Sequence, residues 1–226
     1  MKILVLSQTR SGTHLLLGAL VGSRQFYHFN PDVAFTPGAL PSALRDFFAN
    51  NPSEVTVVHH HLIEIEPDST EWIKSWHELR SIFDRVVVLT RTNQLKQFLS
   101  KVIAEYRDST EGAAYEHWNC YARRPTDPQV ILDYDHYTFF KNNLRSSNGK
   151  ILKMVYPYYE VVYESLVANW ESVLKGVYEY LNFEWDDPKP ITFRQESREI
   201  QYIISNWAEL PEEQKLQLLL DDSGVQ

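Results

Sequence analysis

The chain begins with a short apolar run, Lys2-Ile3-Leu4-Val5-Leu6, which breaks into Ser7-Gln8-Thr9-Arg10-Ser11-Gly12-Thr13-His14 and resumes at once as Leu15-Leu16-Leu17. Few folds accommodate that order. A buried strand passes through a small polar turn into a helix, so several backbone N–H groups gather at a helix N-terminus, where they face an anion. Glycine lets the backbone approach a phosphate closely. Ser11 and Thr13 add hydroxyl donors, and Arg10 adds a fixed cationic fork. The loop differs from the P-loop of nucleoside triphosphatases, which ends in Gly-Lys-Ser/Thr with the hydroxyl on magnesium. Here Thr13-His14 follows the glycine, and the basic residue precedes it.

The pattern continues along the chain. Apolar runs at 2–6, 54–59 and 85–90 read as buried strands, with a fourth candidate at 151–156. Helical patterns at 15–21, 42–50, 70–83, 94–106, 135–145, 165–181, 196–207 and 212–220 lie between or after them. Strands alternating with helices predict an α/β, P-loop-like three-layer fold, a central parallel β-sheet flanked by helices. The 226 residues suffice for one domain spanning 1–226. The polar, aromatic-rich stretch from about 108, with Arg123-Arg124-Pro125 and Asp127-Pro128, predicts an excursion to about 150 that serves as a lid or acceptor-binding segment.

A net charge of −8 argues against nucleic acid as a partner, so any anion site is local. The first apolar run is too short for a secretory signal, and no stretch has the length of a membrane span. With the single Cys120 excluding an internal disulfide, the expectation is a soluble cytoplasmic protein without membrane insertion. Oligomeric state stays open.

In open α/β sheets ligands sit beyond the carboxyl ends of the strands. There the sequence places residues 7–14, then His59-His60-His61, then Arg91-Thr92-Asn93. None is the Asp that a magnesium-dependent phosphoryl-transfer enzyme needs. Cations and hydroxyls without a metal carboxylate predict group transfer that needs no metal. Three adjacent histidines are a poor zinc site, because neighbours rarely converge on one tetrahedral ion. In a continuing strand His59 and His61 share a face and His60 takes the other.

Four patches together resemble PAPS-dependent sulfotransferases (PAPS is 3′-phosphoadenosine 5′-phosphosulfate), in the bacterial Stf0-like/NodH-like branch. Residues 7–13 resemble that family's 5′-phosphosulfate loop. Val86-Val87-Val88-Leu89-Thr90-Arg91, with Gln97-Phe98-Leu99-Ser100, resembles its 3′-phosphate element. Tyr163-Glu164-Ser165-Leu166 with Trp170 and Tyr180-Leu181 resembles its Tyr-Glu-x-Leu helix. Arg194-Gln195, Arg198-Glu199-Ile200 and Ile204-Ser205-Asn206-Trp207 resemble its C-terminal segment. The resemblance implies sulfuryl transfer from PAPS to a hydroxyl of a small molecule or glycan, releasing 3′,5′-ADP. Arg10, where many relatives carry lysine, would stabilise the leaving phosphate. Thr9, Arg10, Ser11, Gly12, Thr13 and His14 would hold the 5′ end of the donor. Arg91 and Ser100 would clamp the 3′-phosphate, with Arg194 or Arg198 closing over it. His61, followed by Leu62, matches the family's histidine base; His59, His60 and Glu64 stay open as alternatives.

Asp133, Asp135 and His136 read either as a helix cap or as an acceptor-hydroxyl site. Trp118, Tyr121, Tyr134 and Tyr137 are candidates for stacking on an acceptor. Two rival functions remain: a P-loop nucleotide kinase, which would need ATP and magnesium, and a non-catalytic nucleotide-binding relative.

Overall fold

The computed structural model describes residues 1–8, 10–21, 27–29, 39–52, 54–61, 70–111, 128–189 and 199–223. Five parallel strands form one sheet: β1 (Lys2–Ser7), β2 (Tyr27–Phe29), β3 (Thr56–His61), β4 (Arg85–Thr90) and β5 (Tyr159–Val162), in the spatial order β2-β3-β1-β4-β5. Between them run α1 (Thr13–Val21), α2 (Ala39–Asn50), α3 (Thr70–Ile82), α4 (Gln94–Glu111) and α5 (Tyr134–Val155). After β5 come α6 (Tyr163–Ala168), α7 (Trp170–Leu181), α8 (Ile200–Ile203), a 3₁₀ turn (Trp207–Glu209) and α9 (Glu212–Ser223).

β1 is central because both of its edges are paired and both of its faces are apolar. Ile3 and Val5 join Val57, Val87 and Leu89 on one face, under Leu16 and Leu20 of α1 and Leu174, Val177 and Tyr178 of α7. Leu4 and Leu6 join Val58, Val86 and Val88 on the other, under Leu44 of α2, Trp76 and Leu79 of α3, and Ile151 and Val155 of α5. The strict inward alternation on two faces is what a parallel strand sandwiched between helices requires. A third cluster packs α4, α5 and α9 together through Phe98, Tyr137, Leu144 and Leu218.

Several boundaries differ from those the sequence predicts. Residues 151–156 are no strand; all but Tyr156 are the last turns of α5. Ile151 and Val155 lie four apart, on the same helix face, and both are fully buried. Pro157 follows, and the strand forms afterwards, at Tyr159–Val162. The stretch 165–181 is two helices rather than one, broken at Asn169, whose N–H closes α6 on the Ser165 carbonyl while its own carbonyl accepts from Val173. Within 196–207, helix is confined to the four residues of α8 and the start of the 3₁₀ turn; residues 196–198 lie outside the described ones. β2 is unannounced by any pattern because it is only three residues long.

Two shifts matter for chemistry. Ser7 closes β1 instead of opening the loop, and β3 runs on through His61, so all three histidines are strand residues. Among the described residues no helix is long and apolar enough to cross a membrane.

Candidate active site

The turn after β1 is held in an unusual backbone shape. Arg10 (φ 62°) and Gly12 (φ 87°) both occupy left-handed conformations. Such alternation turns successive N–H groups inward to form an anion-binding concavity. Ser11 Oγ and the Ser11 N–H both donate to the Gln8 carbonyl, at 2.6 and 3.2 Å. The Gly12 carbonyl then accepts from Leu15 and Leu16 as α1 starts. Ser11 and Thr13 are buried and His14 is exposed. Thr9 lies outside the described residues.

Gly12 leaves no room for a side chain. A Cβ there would stand 2.4 Å from Cδ2 of Tyr163. The Tyr163 ring in turn carries the Arg91 guanidinium, whose Cζ lies 4.8 Å from the ring centroid. Gly12, Tyr163 and Arg91 therefore form a stack that joins the first loop to the end of β4.

Hydrogen bonds repeat that connection. Buried Gln8 donates its N–H to the Leu89 carbonyl, and its side-chain oxygen accepts from the Arg91 N–H at 3.0 Å. Arg91 Nη1 donates to the Arg10 carbonyl at 3.0 Å. Arg10 Nε donates to Ser100 Oγ at 3.1 Å, across 90 residues of sequence. Arg10, Arg91 and Ser100 are thus neighbours. Arg194, Arg198 and Glu64 lie outside the described residues.

Sequence reasoning passed over the anchor of this arrangement. The Glu164 carboxylate accepts from the Thr92 and Asn93 N–H groups, both at 3.0 Å, and lies 3.8 Å from Arg91 Nε. It caps the start of α4 and holds Arg91 beside it. The available signal was its place next to Tyr163 in the Tyr-Glu-x-Leu patch. From the other side, Asn93 donates to Asp222 of α9, and Lys96 pairs with the same carboxylate at 3.1 Å.

The histidines divide between the two faces of the sheet, as strand alternation requires. His59 and His61 stand edge to face, ring centroids 4.5 Å apart, beside Ser7. Ser7 Oγ lies 2.7 Å from His59 Nε2, 2.8 Å from Thr13 Oγ1 and 3.4 Å from His61 Nδ1. This side carries α1 and the turn before it, so His59 and His61 open toward the loop. Neither Gln8 nor the Ser7 contact with His59 was foreseen from sequence; both depend on register.

His60 takes the opposite face, half-buried with its ring 5.9 Å from that of Trp76. Burial pushes its pKa down from 6.5 to about 4, a backbone hydrogen bond with His61 opposing the shift and the charge on His61 adding to it. His60 is therefore neutral near pH 7 and takes up no second proton in that range. On acidification the unfolded chain protonates first. The neutral ring costs the fold nothing above about pH 6.5, and an increasing penalty builds as pH falls from 6.5 toward 4, of at most about 3 kcal/mol. Urea midpoints at pH 7.5 and 4.5 should show that His60→Leu loses roughly 2 kcal/mol less on acidification than the parent. Equal losses would contradict the burial cause.

Asp133 accepts from the His136 N–H and is the N-cap of α5. Tyr137 is a core residue, 1% exposed, donating to Asp221 at 2.6 Å, and Tyr134 packs against the same cluster. Burial raises the Asp221 carboxyl, but the hydrogen bonds from Lys141 and Tyr137 outweigh it and leave the pKa below the ordinary value. Trp118 and Tyr121 lie outside the described residues.

No family model matches the chain, and no curated protein does. Solved structures do. The sulfotransferase domain from the curacin biosynthetic pathway superposes with a TM-score of 0.51 at 15% identity, covering 94% of this chain and 88% of its own. A sulfotransferase from Alicyclobacillus acidocaldarius gives 0.52 at 9% identity, covering 99% and 93%. Mouse sulfotransferase SULT7A1, complexed with PAP, gives 0.52 at 12% identity, covering 100% and 85%. The α/β fold of this chain is the fold of the sulfotransferases.

Proposed function

We propose that this chain is a PAPS-dependent sulfotransferase that passes the sulfuryl group to a hydroxyl of a small molecule or glycan and releases 3′,5′-ADP. One observation carries the reading. The first loop and the β4–α4 element meet through Arg10, Ser100 and Arg91, so a single ligand with a phosphate at each end fits both. The neighbour complexed with PAP supports the same class of nucleotide.

The residues divide the chemistry between them. Ser11, Gly12 and Thr13 hold the 5′-phosphate of the donor through their backbone N–H groups. Arg91 and Ser100 take the 3′-phosphate. His61 removes the acceptor proton as the new oxygen–sulfur bond forms. The bond from sulfur to the bridging oxygen breaks in line, and the charge arriving on the phosphate is met by Arg10. That division asks for no metal ion.

The His61→Gln variant tests the base. Release of 3′,5′-ADP from PAPS over a panel of phenolic and sugar acceptors should fall by about 10²–10⁴, the usual worth of a general base. Affinity for 3′,5′-ADP should stay within about threefold. Unchanged turnover in the variant would remove His61 from the reaction. A parent protein that binds 3′,5′-ADP but turns over no acceptor would contradict catalysis and favour a nucleotide-binding relative.

A further inference from the structure

Beneath the loop, two histidines and the Thr13 hydroxyl meet at one atom, Ser7 Oγ. We infer that Ser7 is a positioning residue that fixes the tautomer of His61, with His59 as the second arm of the device; this rests on His61 being the base. Ser7 is fully buried and His59 is 4% exposed. In the β1–β3 ladder Ser7 is the direct partner of His61, and Val5 of His59, so the contact is set by register.

Proton counting makes the assignment. Ser7 Oγ has one proton to give and two lone pairs. It has three partners, so it donates once and accepts twice. A hydroxyl proton belongs on a short contact. The 2.7 Å to His59 Nε2 and the 2.8 Å to Thr13 Oγ1 suit it, and the 3.4 Å to His61 Nδ1 does not. Whichever of the first two takes the proton, the other donates to Ser7, and so does His61. His61 thus carries its proton on Nδ1. The tautomer of an imidazole follows the hydrogen bond its other nitrogen makes, so Nε2 of His61 keeps its lone pair and can accept a proton. The 3.4 Å contact is loose in the way catalytic hydrogen bonds often are before substrate binds. Thr13 links the device to the loop, since it belongs both to this cluster and to the start of α1.

Tautomers are read directly by two-bond ¹⁵N–¹H correlation of protein labelled with ¹⁵N-histidine, saturated with 3′,5′-ADP at pH 8, with His59→Gln and His61→Gln assigning the signals. The parent should show His61 protonated on Nδ1. Ser7→Ala should move it toward the Nε2–H form, and Ser7→Thr, which keeps the hydroxyl, should not. An Nε2–H His61 in the parent, or an unmoved tautomer in Ser7→Ala, would overturn the inference. The parent measurement stands even where Ser7→Ala does not fold. In turnover, Ser7→Ala should cost about tenfold to a hundredfold, and the Ser7→Ala/His61→Gln pair should be no slower than His61→Gln alone. Losses that multiply would show Ser7 acting elsewhere and overturn the inference while leaving the base intact. Full activity of His61→Gln would instead remove the base and leave the tautomer finding standing.

Discussion

Replacing Arg10 by alanine should lower sulfuryl transfer by at least about a hundredfold while the protein stays folded and still binds 3′,5′-ADP. One donor aimed at charge that develops during reaction is commonly worth 10²–10³ in rate. The comparison is clean because of the backbone. Arg10 sits at φ 62°, where any residue with a Cβ is strained, so alanine inherits the same strain and only the guanidinium is lost. The 5′-phosphate that Arg10 meets is retained in 3′,5′-ADP, and one charge-assisted contact is worth about 1.5–3 kcal/mol, so 3′,5′-ADP binding should weaken by roughly tenfold to a hundredfold. Single-turnover measurements with PAPS separate the two effects. Arg10→Lys should recover most of the rate, since it restores a cation without the fork. Near-normal transfer by Arg10→Ala would remove it from the chemistry.

The second large effect is expected at a residue with no side chain. Gly12→Ala places a methyl 2.4 Å from the Tyr163 ring at φ 87°, so it meets both a clash and a backbone penalty. Overpacking and left-handed strain together put the cost at about 2–4 kcal/mol. Relief of the clash requires Tyr163 to move, and the Arg91 guanidinium rests on that ring. Binding of 3′,5′-ADP should therefore fall more than tenfold, although Gly12 belongs to the other end of the site. Urea unfolding and calorimetry measure the two losses. Adding Tyr163→Ala should recover part of the stability, through the clash, and none of the backbone penalty. A Gly12→Ala protein within about 0.5 kcal/mol of the parent would contradict the stack.

The legible parts of this molecule are those written by alternation. Residues 85–90 are β4 as predicted, because a buried parallel strand is an unbroken apolar run, and the parity of His59, His60 and His61 follows from the two-residue period. The turn from β1 into α1 was readable because glycine and small hydroxyl residues mark it. Residues 151–156 misled for a physical reason. Ile151, Val155 and Tyr156 favour strands locally, but the helix capped at Asp133 continues, and its buried face needs Ile151 and Val155. Glu164 had no signal beyond its place in the Tyr-Glu-x-Leu patch, and Gln8 had none. Glu164 binds amides 71 and 72 residues away, and Gln8 binds one 83 residues away, a pairing that exists only once β1 and β4 lie side by side. Ser7 was assigned to the loop, and its contact with both histidines appears only with the β1–β3 register.

The central claim is that one ligand spans two phosphate sites, and titration calorimetry of 3′,5′-ADP against 5′-AMP and magnesium–ATP tests it most directly. Two charge-assisted contacts to the extra phosphate, each worth about 1.5–3 kcal/mol, make 3′,5′-ADP the tighter ligand than 5′-AMP by about a hundredfold or more. Arg91→Ala should erase most of that gap and leave 5′-AMP nearly unchanged. Equal affinity for 3′,5′-ADP and 5′-AMP, or tighter binding of magnesium–ATP than of either, would contradict it.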